Sequence, residues 1–433
     1  MRGITRSEFL LGAAAALAAK GAVADGARLR RHIEELSVFG RPAGGTFASG
    51  VSRVGFSDAD VAGRARVMEW MREAVPGATP RIDAAGNISV RKAGSDAAAS
   101  PVLFGSHIDS VPNGGNFDGD LGVLAGIEVL HAMRDVQHRR PLECVVWAAE
   151  EATAYSRSLY GSRAAIGRLA PGELDEVWNG VRKSDAIRKI GGDPARIAEA
   201  RRAKGSFHAY LELHIEQGGT LEKEKLQIGV VEGIVTVDRF EVVVKGTANH
   251  AGTTPMRDRQ DALIAASQLT LAVREIVMSE PGRQVGTVGR LEVSPNSPNV
   301  VPGEVRLTVE IRDLSDIKLA RLGRKIELKA QQISTATNTQ IEMKRSTHHD
   351  GAVSDPRLMD VIEKSARTLG LTSRRLPSGA GHDAQSMAVL GPMAMIFVPS
   401  VGGISHSPRE FTTWEDCANG ANVLLHAVQA LAD

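Results

Sequence analysis

Apolar runs that end in metal-binding side chains are the feature that most constrains the fold of this chain. The run 101–104 is followed by His107 and Asp109, and the run 142–149 is followed by two adjacent glutamates. In open sheets with helices on both faces, ligands bind at the edge where the strands end. Imidazole and carboxylate together form the ligand set that zinc or manganese prefers. The pattern therefore predicts an α/β fold with a metal site at that edge.

Three further patches supply the same kinds of side chain. Asp118 ends a glycine-rich loop, His214 follows the apolar run 210–213, and His406 lies in a second glycine-rich loop. Glycines let the backbone come close to a ligand, and a carboxylate in such a loop could bridge two ions. Each patch alone has an ordinary structural interpretation, such as a chance H-x-D or a solvated strand end. Their coincidence favours a metal centre.

The adjacent glutamates Glu150 and Glu151 predict how such a centre would work. Two carboxylates at the end of a buried strand are costly unless something positive lies against them. One can bind a metal while the other faces a water whose pKa the metal lowers, and can take its proton. In one arrangement His107 binds metal while Asp109 accepts the other ring N–H.

Chain length, net charge and cysteine content limit the number of domains and the kinds of partner that are expected. A chain of 433 residues exceeds one ordinary domain, so two are expected. Its 52 basic and 51 acidic residues leave a net charge of +1, which argues against nucleic acid or an anionic membrane surface as a partner. Of its 2 cysteines, Cys144 lies in an apolar run and is expected to be a buried hydrophobic residue, so no disulfide scaffold is predicted.

Residues 1–24 are predicted to form an export signal. Two arginines precede an alanine-rich apolar stretch, and Ala22-Val23-Ala24 offers an A-x-A cleavage site. The segment 5–11 resembles a twin-arginine signal in which Ser7 replaces the second arginine, which favours a periplasmic protein. The alternative is an alanine-rich helix on a cytoplasmic protein. No other stretch reaches the roughly 18 apolar residues of a membrane span, so no integral membrane segment is expected after the leader is removed.

Alternating strands and helices predict a layered α/β domain with an insertion. From about residue 238 the pattern changes to strand, helix, strand, strand, helix, strand, the ferredoxin-like order. We expect an α/β domain over 25–234 and 351–433, interrupted by a lid domain over 235–350. The predicted helices are 26–37, 61–74, 120–134, 162–168, 259–278, 316–337, 356–370 and 414–432, and the predicted strands are 88–91, 102–105, 142–149, 239–245, 285–293, 304–312, 340–345 and 394–399.

Six motifs give the chain a family resemblance. They are GSHIDSVPNGGNFDGDLGVLAG at 105–126, the glutamate pair, HIEQG at 214–218, NHAGTTP at 249–255, GAGHDA at 379–384 and GGISHSP at 402–408. Together they resemble the carbamoylase and allantoate amidohydrolase branch of the M20 metallopeptidase clan. The resemblance covers the chain from about residue 26 to its end. It implies an α/β fold with an open, mixed-sheet di-metal catalytic domain, interrupted by a ferredoxin-like α+β lid and dimerisation domain.

The resemblance also implies a ligand set. One ion would be held by His107, Asp118 and His214, and a second by Asp118, Glu151 and His406, with Asp118 bridging. Glu150 would be the general base, and Asp109 the partner of the His107 ring. Two divalent ions per subunit are expected, with zinc as the first choice and manganese, cobalt or nickel as alternatives.

The same resemblance assigns the substrate-binding residues. His250 would polarise the scissile carbonyl or stabilise the oxyanion. The remaining residues would bind the substrate, with an arginine fork suited to its carboxylate and the glycines contributing backbone groups; they are Gln217, Asn299, Arg312, Gly379 and Gly381. A homodimer through the lid is expected.

The implied reaction is hydrolysis of the ureido C–N bond of an N-carbamoyl-L-amino acid or a related ureido acid such as allantoate, ureidoglycolate or β-ureidopropionate. Members of this branch commonly read EE-G-S-R-F, whereas this chain has Ala154 for the arginine and Tyr155 for the phenylalanine. Substrate preference is thereby open. One alternative is an aminoacylase or peptidase that acts on N-acyl amino acids or dipeptides, and another is a protein that binds ureido or amino acids without turnover.

Overall fold

The computed structural model describes residues 22–433, and these form two compact units. The larger unit runs to Glu232 and resumes over 354–376 and 382–433, and the smaller unit comprises 233–353 with 377–381. The sequence prediction placed the corresponding boundaries at 235 and 350. Most of the predicted export signal, residues 1–21, lies outside the described residues. Among the helices of residues 22–433, none has the length and apolar character that crossing a membrane requires.

The helices occur in both units and include the long ones that the sequence predicted. In chain order the α-helices are α1 Gly26–Leu36, α2 Asp58–Ala74, α3 Asp120–Ala132, α4 Tyr160–Ala165, α5 Lys183–Lys189, α6 Thr220–Glu224, α7 Ala262–Met278, α8 Asp316–Thr337, α9 Pro356–Thr368, α10 Asp383–Met387 and α11 Trp414–Ala432. Short 3₁₀ helices lie at Phe47–Ser49, Glu173–Asp175, Pro194–Ala200, Met256–Asp258 and Val401–Gly403.

The strands are short at the periphery and longest in the smaller unit. In chain order they are β1 Arg81–Ile82, β2 Ile88–Lys92, β3 Val102–His107, β4 Leu142–Trp147, β5 Val177–Trp178, β6 Val181–Arg182, β7 Ala209–Ile215, β8 Ile228–Ile234, β9 Thr236–Lys245, β10 Asn249–His250, β11 Val285–Ser294, β12 Val300–Val301, β13 Glu304–Asp313, β14 Gln340–His349, β15 Ala352–Val353, β16 Ser373–Ser378 and β17 Met393–Val398.

A mixed sheet forms the centre of the larger unit. Its strands lie in the order β1, β2, β4, β3, β7, β17 and β8, and β16 also pairs with β8. The four strands β4, β3, β7 and β17 are parallel, and β2 and β8 flank them in antiparallel pairing. The carboxyl ends of the four parallel strands therefore meet at one edge of the sheet. The predicted α/β fold with an open mixed sheet is confirmed.

Helices cover this sheet and bury its apolar runs. Every residue of β3, β4, β7 and β17 is buried, as expected for parallel strands with helices on both faces. Helix α3 is buried on all sides from Asp120 to Leu130, because the sheet, α1, α2 and α11 all pack against it. Helix α2 is capped at its amino terminus, since the Ser57 hydroxyl accepts the Asp60 N–H.

The smaller unit is a four-stranded antiparallel sheet with two helices. Its strands lie in the order β11, β13, β9 and β14, and α7 and α8 pack on one face. Burial alternates along β9 and β13, so Phe240, Val242, Leu307 and Val309 face the helices. The opposite face carries mostly charged and polar side chains. Period-two alternation of this kind is typical of a sheet with one covered face.

Candidate metal centre

The parallel strands deliver three of the predicted ligands to one edge of the sheet. His107 is the last residue of β3, Glu151 follows the end of β4, and His214 lies at the end of β7. Strands β3 and β4 are paired in register, with His107 opposite Trp147. Sheet topology alone therefore gathers side chains that are far apart in sequence.

His107, Asp118 and His214 form a first cluster that could hold a metal ion. Their candidate ligand atoms all lie within 4.8 Å of one another, and all three residues are buried. Nε2 of His214 is 3.1 Å from Asp118 Oδ1, and Nε2 of His107 is 3.6 Å from the same oxygen. This is the first of the two predicted ligand sets.

Both imidazoles of this first cluster are held in one tautomer. Nδ1 of His107 lies 3.0 Å from the backbone carbonyl oxygen of Asp109, and Nδ1 of His214 lies 2.9 Å from that of Ile215. A carbonyl oxygen only accepts, so each Nδ1 carries the hydrogen and the Nε2 lone pair of the neutral ring faces Asp118. Metal-binding histidines are commonly oriented in this way.

Asp118, Glu151 and His406 form a second cluster that shares Asp118 with the first. Nε2 of His406 is 3.3 Å from Asp118 Oδ2 and 3.2 Å from Glu151 Oε1. The His406 side chain is 50% exposed, and its backbone has a φ of 55° in the left-handed region. The second cluster is therefore more open than the first, and its histidine stands on a loop.

The donor set of the two clusters fits divalent metal ions. Burial opposes charge on His107, but the carboxylates of Asp109, Asp118 and Glu151 outweigh it and raise the pKa of His107 to about 9. Hydrogen bonds to Asp118 and Glu151 raise the pKa of His406 to about 10. The carboxylates therefore stabilise positive charge at both clusters, and either protons or metal ions can supply that charge. Imidazole nitrogens with carboxylate oxygens suit zinc and its neighbours.

Asp109 fixes the backbone of the glutamate pair. Its carboxylate accepts the N–H of Glu150 at 3.0 Å and the N–H of Glu151 at 3.1 Å. From the sequence, this carboxylate is expected to accept the His107 ring N–H, but Oδ1 is 3.7 Å from Nδ1, and the backbone carbonyl of Asp109 is the nearer acceptor. Asp109 therefore supports the glutamates as well as the histidine.

Glu150 belongs to neither ligand cluster but lies beside the first one. Its Oε2 is 3.9 Å from Nε2 of His107. Burial, followed by the charges of Glu151 and Asp383, raises the pKa of the Glu150 carboxyl well above its usual range. A carboxylate with a raised pKa accepts a proton readily, which suits a general base.

The position after the shared carboxylate, Gly119, requires a glycine because of its backbone conformation and its closeness to His107. It has a φ of 69°, and a Cβ at this position would lie 2.4 Å from the His107 ring. Any other residue would be strained in the backbone and would push the imidazole away. The glycine-rich loop therefore lets the backbone pass directly beside a ligand.

Glu410 and Ser405 contact the shared carboxylate residue and were not predicted from the sequence. Glu410 is buried and accepts the N–H of Phe117 at 3.0 Å and of Asp118 at 3.1 Å. The Ser405 hydroxyl is 2.7 Å from Glu410 Oε2 and 3.0 Å from Asp118 Oδ2. The two residues hold Asp118 from its backbone and its side chain. An acidic residue four positions after His406 was the signal that could have found Glu410.

Gln217, predicted to bind substrate, contacts the shared carboxylate. Its side-chain NH₂ donates to Asp118 Oδ2 at 2.7 Å, and its φ is 56°. The amide oxygen of the same side chain is buried and has no hydrogen-bond partner within the described residues. That oxygen is a free acceptor next to the two ligand clusters.

In the smaller unit the structure brings together two predicted substrate-binding residues. Nη1 of Arg312 donates to the carbonyl oxygen of Gly379 at 2.5 Å. The Nε and Nη2 groups of Arg312 both donate to Glu310 Oε1, at 2.9 and 2.7 Å. Gly381 is exposed in the same unit.

His250 and Asn299 lie in a second small element of this unit. Strands β10 and β12 pair with His250 opposite Val300, and the Ala251 N–H donates to the Asn299 carbonyl at 2.9 Å. The Gly252 N–H donates to Nδ1 of His250 at 3.0 Å. A neutral His250 must therefore carry its hydrogen on Nε2, where it can be donated to a carbonyl oxygen.

The two departures from the family motif occupy a buried site behind the glutamate pair. Ala154 is 3% exposed, and the Tyr155 hydroxyl donates to the Val181 carbonyl at 3.3 Å. The buried ammonium of Lys183 lies 5.3 Å from the centre of the Tyr155 ring and donates to Glu173 at 2.7 Å. A buried cation that is paired with Glu173 therefore lies beside the Tyr155 ring.

Comparison with known proteins gives a consistent family assignment. The model of the peptidase family M20/M25/M40 matches residues 103–430. The N-carbamoyl-L-amino acid amidohydrolase of Geobacillus stearothermophilus is 39% identical over 410 residues, which cover 94% of this chain and 98% of that protein. The ureidoglycolate hydrolase of Arabidopsis thaliana is 36% identical over 411 residues, 92% of this chain and 85% of that protein.

A solved structure agrees with the relatives found by sequence. A hydantoinase/carbamoylase family amidase from Burkholderia multivorans superimposes with a TM-score of 0.86 at 36% identity, covering 95% of this chain and 98% of the other. The match extends over nearly the whole length of both chains. This chain therefore belongs to the peptidase family M20/M25/M40 and, within it, to the hydantoinase/carbamoylase branch of hydrolases.

Proposed function

We propose that this hydrolase uses two divalent metal ions to cleave the ureido C–N bond of an N-carbamoyl-L-amino acid or a related ureido acid. The observation that carries the proposal is the pair of ligand clusters that share Asp118, with Glu150 beside them but in neither. Relatives named as N-carbamoyl-L-amino acid amidohydrolase and ureidoglycolate hydrolase support a ureido substrate.

Two bound divalent ions would lower the pKa of a water between the clusters and withdraw electrons from the ureido carbonyl. Residues His107, Asp118 and His214 would hold one ion, and Asp118, Glu151 and His406 the other. Zinc suits this donor set best, and manganese, cobalt or nickel are alternatives. The Nδ1 hydrogen bonds of His107 and His214 point Nε2 of each ring at Asp118, and Nε2 of His214 also accepts the Gly119 N–H at 3.2 Å.

Glu150 moves the proton in this scheme. It takes a proton from water as the water oxygen attacks the ureido carbon, and then gives that proton to the departing amino nitrogen as the C–N bond breaks. The carbamic acid released decomposes to ammonia and carbon dioxide, and the free amino acid is the other product. The raised pKa of the Glu150 carboxyl, caused first by burial, favours its role as proton acceptor.

Residues of the smaller unit are assigned to substrate recognition. His250, as a neutral Nε2–H donor, would stabilise the oxyanion that develops on the ureido carbonyl. Arg312 would bind the substrate carboxylate, supported by Asn299 and by backbone groups at Gly379 and Gly381. In the larger unit, the free amide oxygen of Gln217 would accept a hydrogen bond from a substrate N–H.

Ammonia release from a substrate panel tests the proposal. The panel contains N-carbamoyl-L-amino acids, β-ureidopropionate, allantoate, ureidoglycolate and N-acetyl amino acids, and the enzyme is stripped of metal and reloaded with zinc or manganese. We expect metal-dependent ammonia release that Glu150→Gln lowers by about 10²–10⁴-fold, with metal content unchanged. If no ureido compound releases ammonia but N-acetyl amino acids release the free amino acid, the aminoacylase alternative replaces the proposal.

We further propose that the smaller unit mediates a homodimer. Helix Ala262–Met278 exposes Ile264, Leu271 and Met278 at intervals of seven residues, and Leu271 is 63% exposed. The edge strand Val285–Ser294 also exposes Val285. Analytical ultracentrifugation should give a dimer for the wild-type protein and a monomer for Leu271→Glu. A wild-type monomer at micromolar concentration would contradict the proposal.

Export through the predicted leader is also a proposal. Ala24 is buried, and its N–H donates to the Asn422 side chain at 3.0 Å, a contact that cleavage before Asp25 would remove. Cell fractionation and amino-terminal sequencing should find a periplasmic protein that begins at Asp25. A cytoplasmic protein that retains the leader would contradict it.

A further inference from the structure

Three charged side chains form a continuous row on the open face of the four-stranded sheet. Burial alternates along β13, so Val309 and Ile311 face the helices while Glu310 and Arg312 face the opposite side. Glu310 lies directly across from Arg239 on β9. Strand register therefore places an acid between two arginines.

Hydrogen bonds join the three side chains through separate oxygens of Glu310. Oε2 accepts from Nε of Arg239 at 3.1 Å, and Oε1 accepts from Nε of Arg312 at 2.9 Å and from its Nη2 at 2.7 Å. Gly379 accepts from Nη1 of Arg312 on the other side. The Arg312 side chain is 34% exposed although both of its flanks are engaged. Its orientation is therefore fixed while its end remains accessible.

The Arg312 guanidinium keeps N–H donors that no protein group accepts within the described residues. A guanidinium has five N–H donors. Glu310 and Gly379 take three of them, so one N–H remains on each terminal nitrogen of Arg312. A free donor on each terminal nitrogen can pair with one of the two oxygens of a carboxylate.

Arg239 adds one positive charge to the place where such a carboxylate would bind. Glu310 and Arg312 alone are a neutral pair, whereas the row with Arg239 has one net positive charge. Glu241 does not cancel this charge, because it forms its own ion pair with Arg290 at 2.5 Å. On the other side of Arg239, strand β14 places the uncharged Thr347.

We propose that Arg239 is a specificity-determining residue for acidic substrates, which acts through Glu310 and leaves Arg312 with uncompensated positive charge. The inference rests on the proposed function, because it assumes that Arg312 receives the substrate carboxylate. Arg239 touches no substrate in this scheme. It engages Glu310, so that the acid orients Arg312 without neutralising it.

Calorimetric binding to the zinc-loaded Glu150→Gln enzyme tests the inference without turnover. The ligands are N-carbamoyl-L-alanine, N-acetyl-L-alanine and the neutral amide of N-carbamoyl-L-alanine. Adding Arg239→Gln should weaken binding of both acids about fivefold at low ionic strength, a Coulomb effect that shrinks as salt rises. Binding of the amide should not change. Arg239→Lys should restore most of the affinity for the acids.

Lys245→Gln is the matched control, because it also removes one positive charge and breaks the ion pair with Glu342 on the same sheet, which has no link to Glu310 or Arg312. It should leave all three ligands unaffected. Equal weakening of acids and amide by Arg239→Gln, or no weakening of either acid, would overturn the inference. Failure of the wild-type enzyme to release ammonia from ureido acids is a separate result, which rejects the proposed function, while the N-acetyl acid still tests Arg239.

Discussion

The two ligand clusters share Asp118 but differ in how the chain builds them. In the first cluster both histidines lie at the ends of buried parallel strands, and each ring is oriented by a backbone carbonyl. In the second, His406 stands on a loop, half exposed, and Glu151 follows the end of a strand. Preorganised ligands lose less freedom when they bind, so the first cluster should bind metal more tightly.

Two ligand clusters that share one carboxylate are therefore not expected to be equivalent metal sites. The first cluster depends on the sheet, whose four parallel strands are buried at every residue. The second cluster depends on loops, so its affinity should respond to contacts outside the ligand set. Substitutions of the shared ligand, of one cluster and of the supporting residues should therefore have effects that decrease in that order.

Asp118→Asn should have the largest effect. It removes the only carboxylate that the two clusters share, so we expect loss of both metal ions. The loss of turnover should exceed the roughly 10²–10⁴-fold that removal of a general base alone costs. Metal analysis of the purified protein checks this. Retention of one tightly bound ion would show that the clusters are more independent than their geometry indicates.

Replacing one histidine at a time separates the clusters. His406→Asn should leave one ion bound with wild-type affinity and abolish the weaker site, because the first cluster keeps its three ligands. His214→Asn should instead remove the tighter site. Competition with a chromophoric chelator measures both affinities. If His406→Asn weakens the tighter site, the proposed ranking is wrong.

Glu410→Ala should weaken both sites, because Glu410 holds the backbone on which Asp118 stands. Loss of such a supporting contact costs about 10–100-fold in metal affinity. Glu410→Gln is the control, since its amide oxygen can still accept both N–H groups. Equal losses in the two variants would mean that the charge of Glu410, and not its geometry, matters.

Tyr155→Phe should have the smallest effect. It removes the hydroxyl that donates to Val181 and thereby loosens the loop that follows Glu151. One such hydrogen bond contributes about 0.5–1.5 kcal/mol to the free energy of unfolding, which denaturant titration can resolve. Tyr160→Phe is the control, because the Tyr160 hydroxyl has no hydrogen-bond partner within residues 22–433. Equal effects of the two substitutions would remove the role given to the Tyr155 hydroxyl.

The elements with strong periodicity and clear caps could be predicted from the sequence. Helices 316–337 and 414–432 have the predicted ends, and the run before Glu150 is the predicted strand. The two ligand clusters contain the predicted residues because each ligand follows an apolar run or lies in a glycine-rich loop. At these positions the hydrophobic pattern and the chemistry of the side chains indicate the same structure.

The supporting contacts could not be predicted, because they join distant residues without a local pattern. Arg53 is a buried arginine whose Nε donates to the Ile108 carbonyl at 2.5 Å and whose Nη1 donates to Leu36 at 2.9 Å. Nothing near Arg53 in the sequence distinguishes it from a surface arginine. The segment after Glu151 is similar, since buried ion pairs such as Lys183 with Glu173 hold its short elements. Tertiary contacts decide the structure there.

Titration of the metal-free enzyme with zinc, followed by ammonia release from a ureido acid, shows whether both clusters are needed for turnover. We expect the first equivalent to bind tightly with little turnover, and activity to appear as the second equivalent fills the weaker cluster. Full activity after one equivalent, or ammonia release by the chelated enzyme, would contradict a two-metal hydrolase built on Asp118.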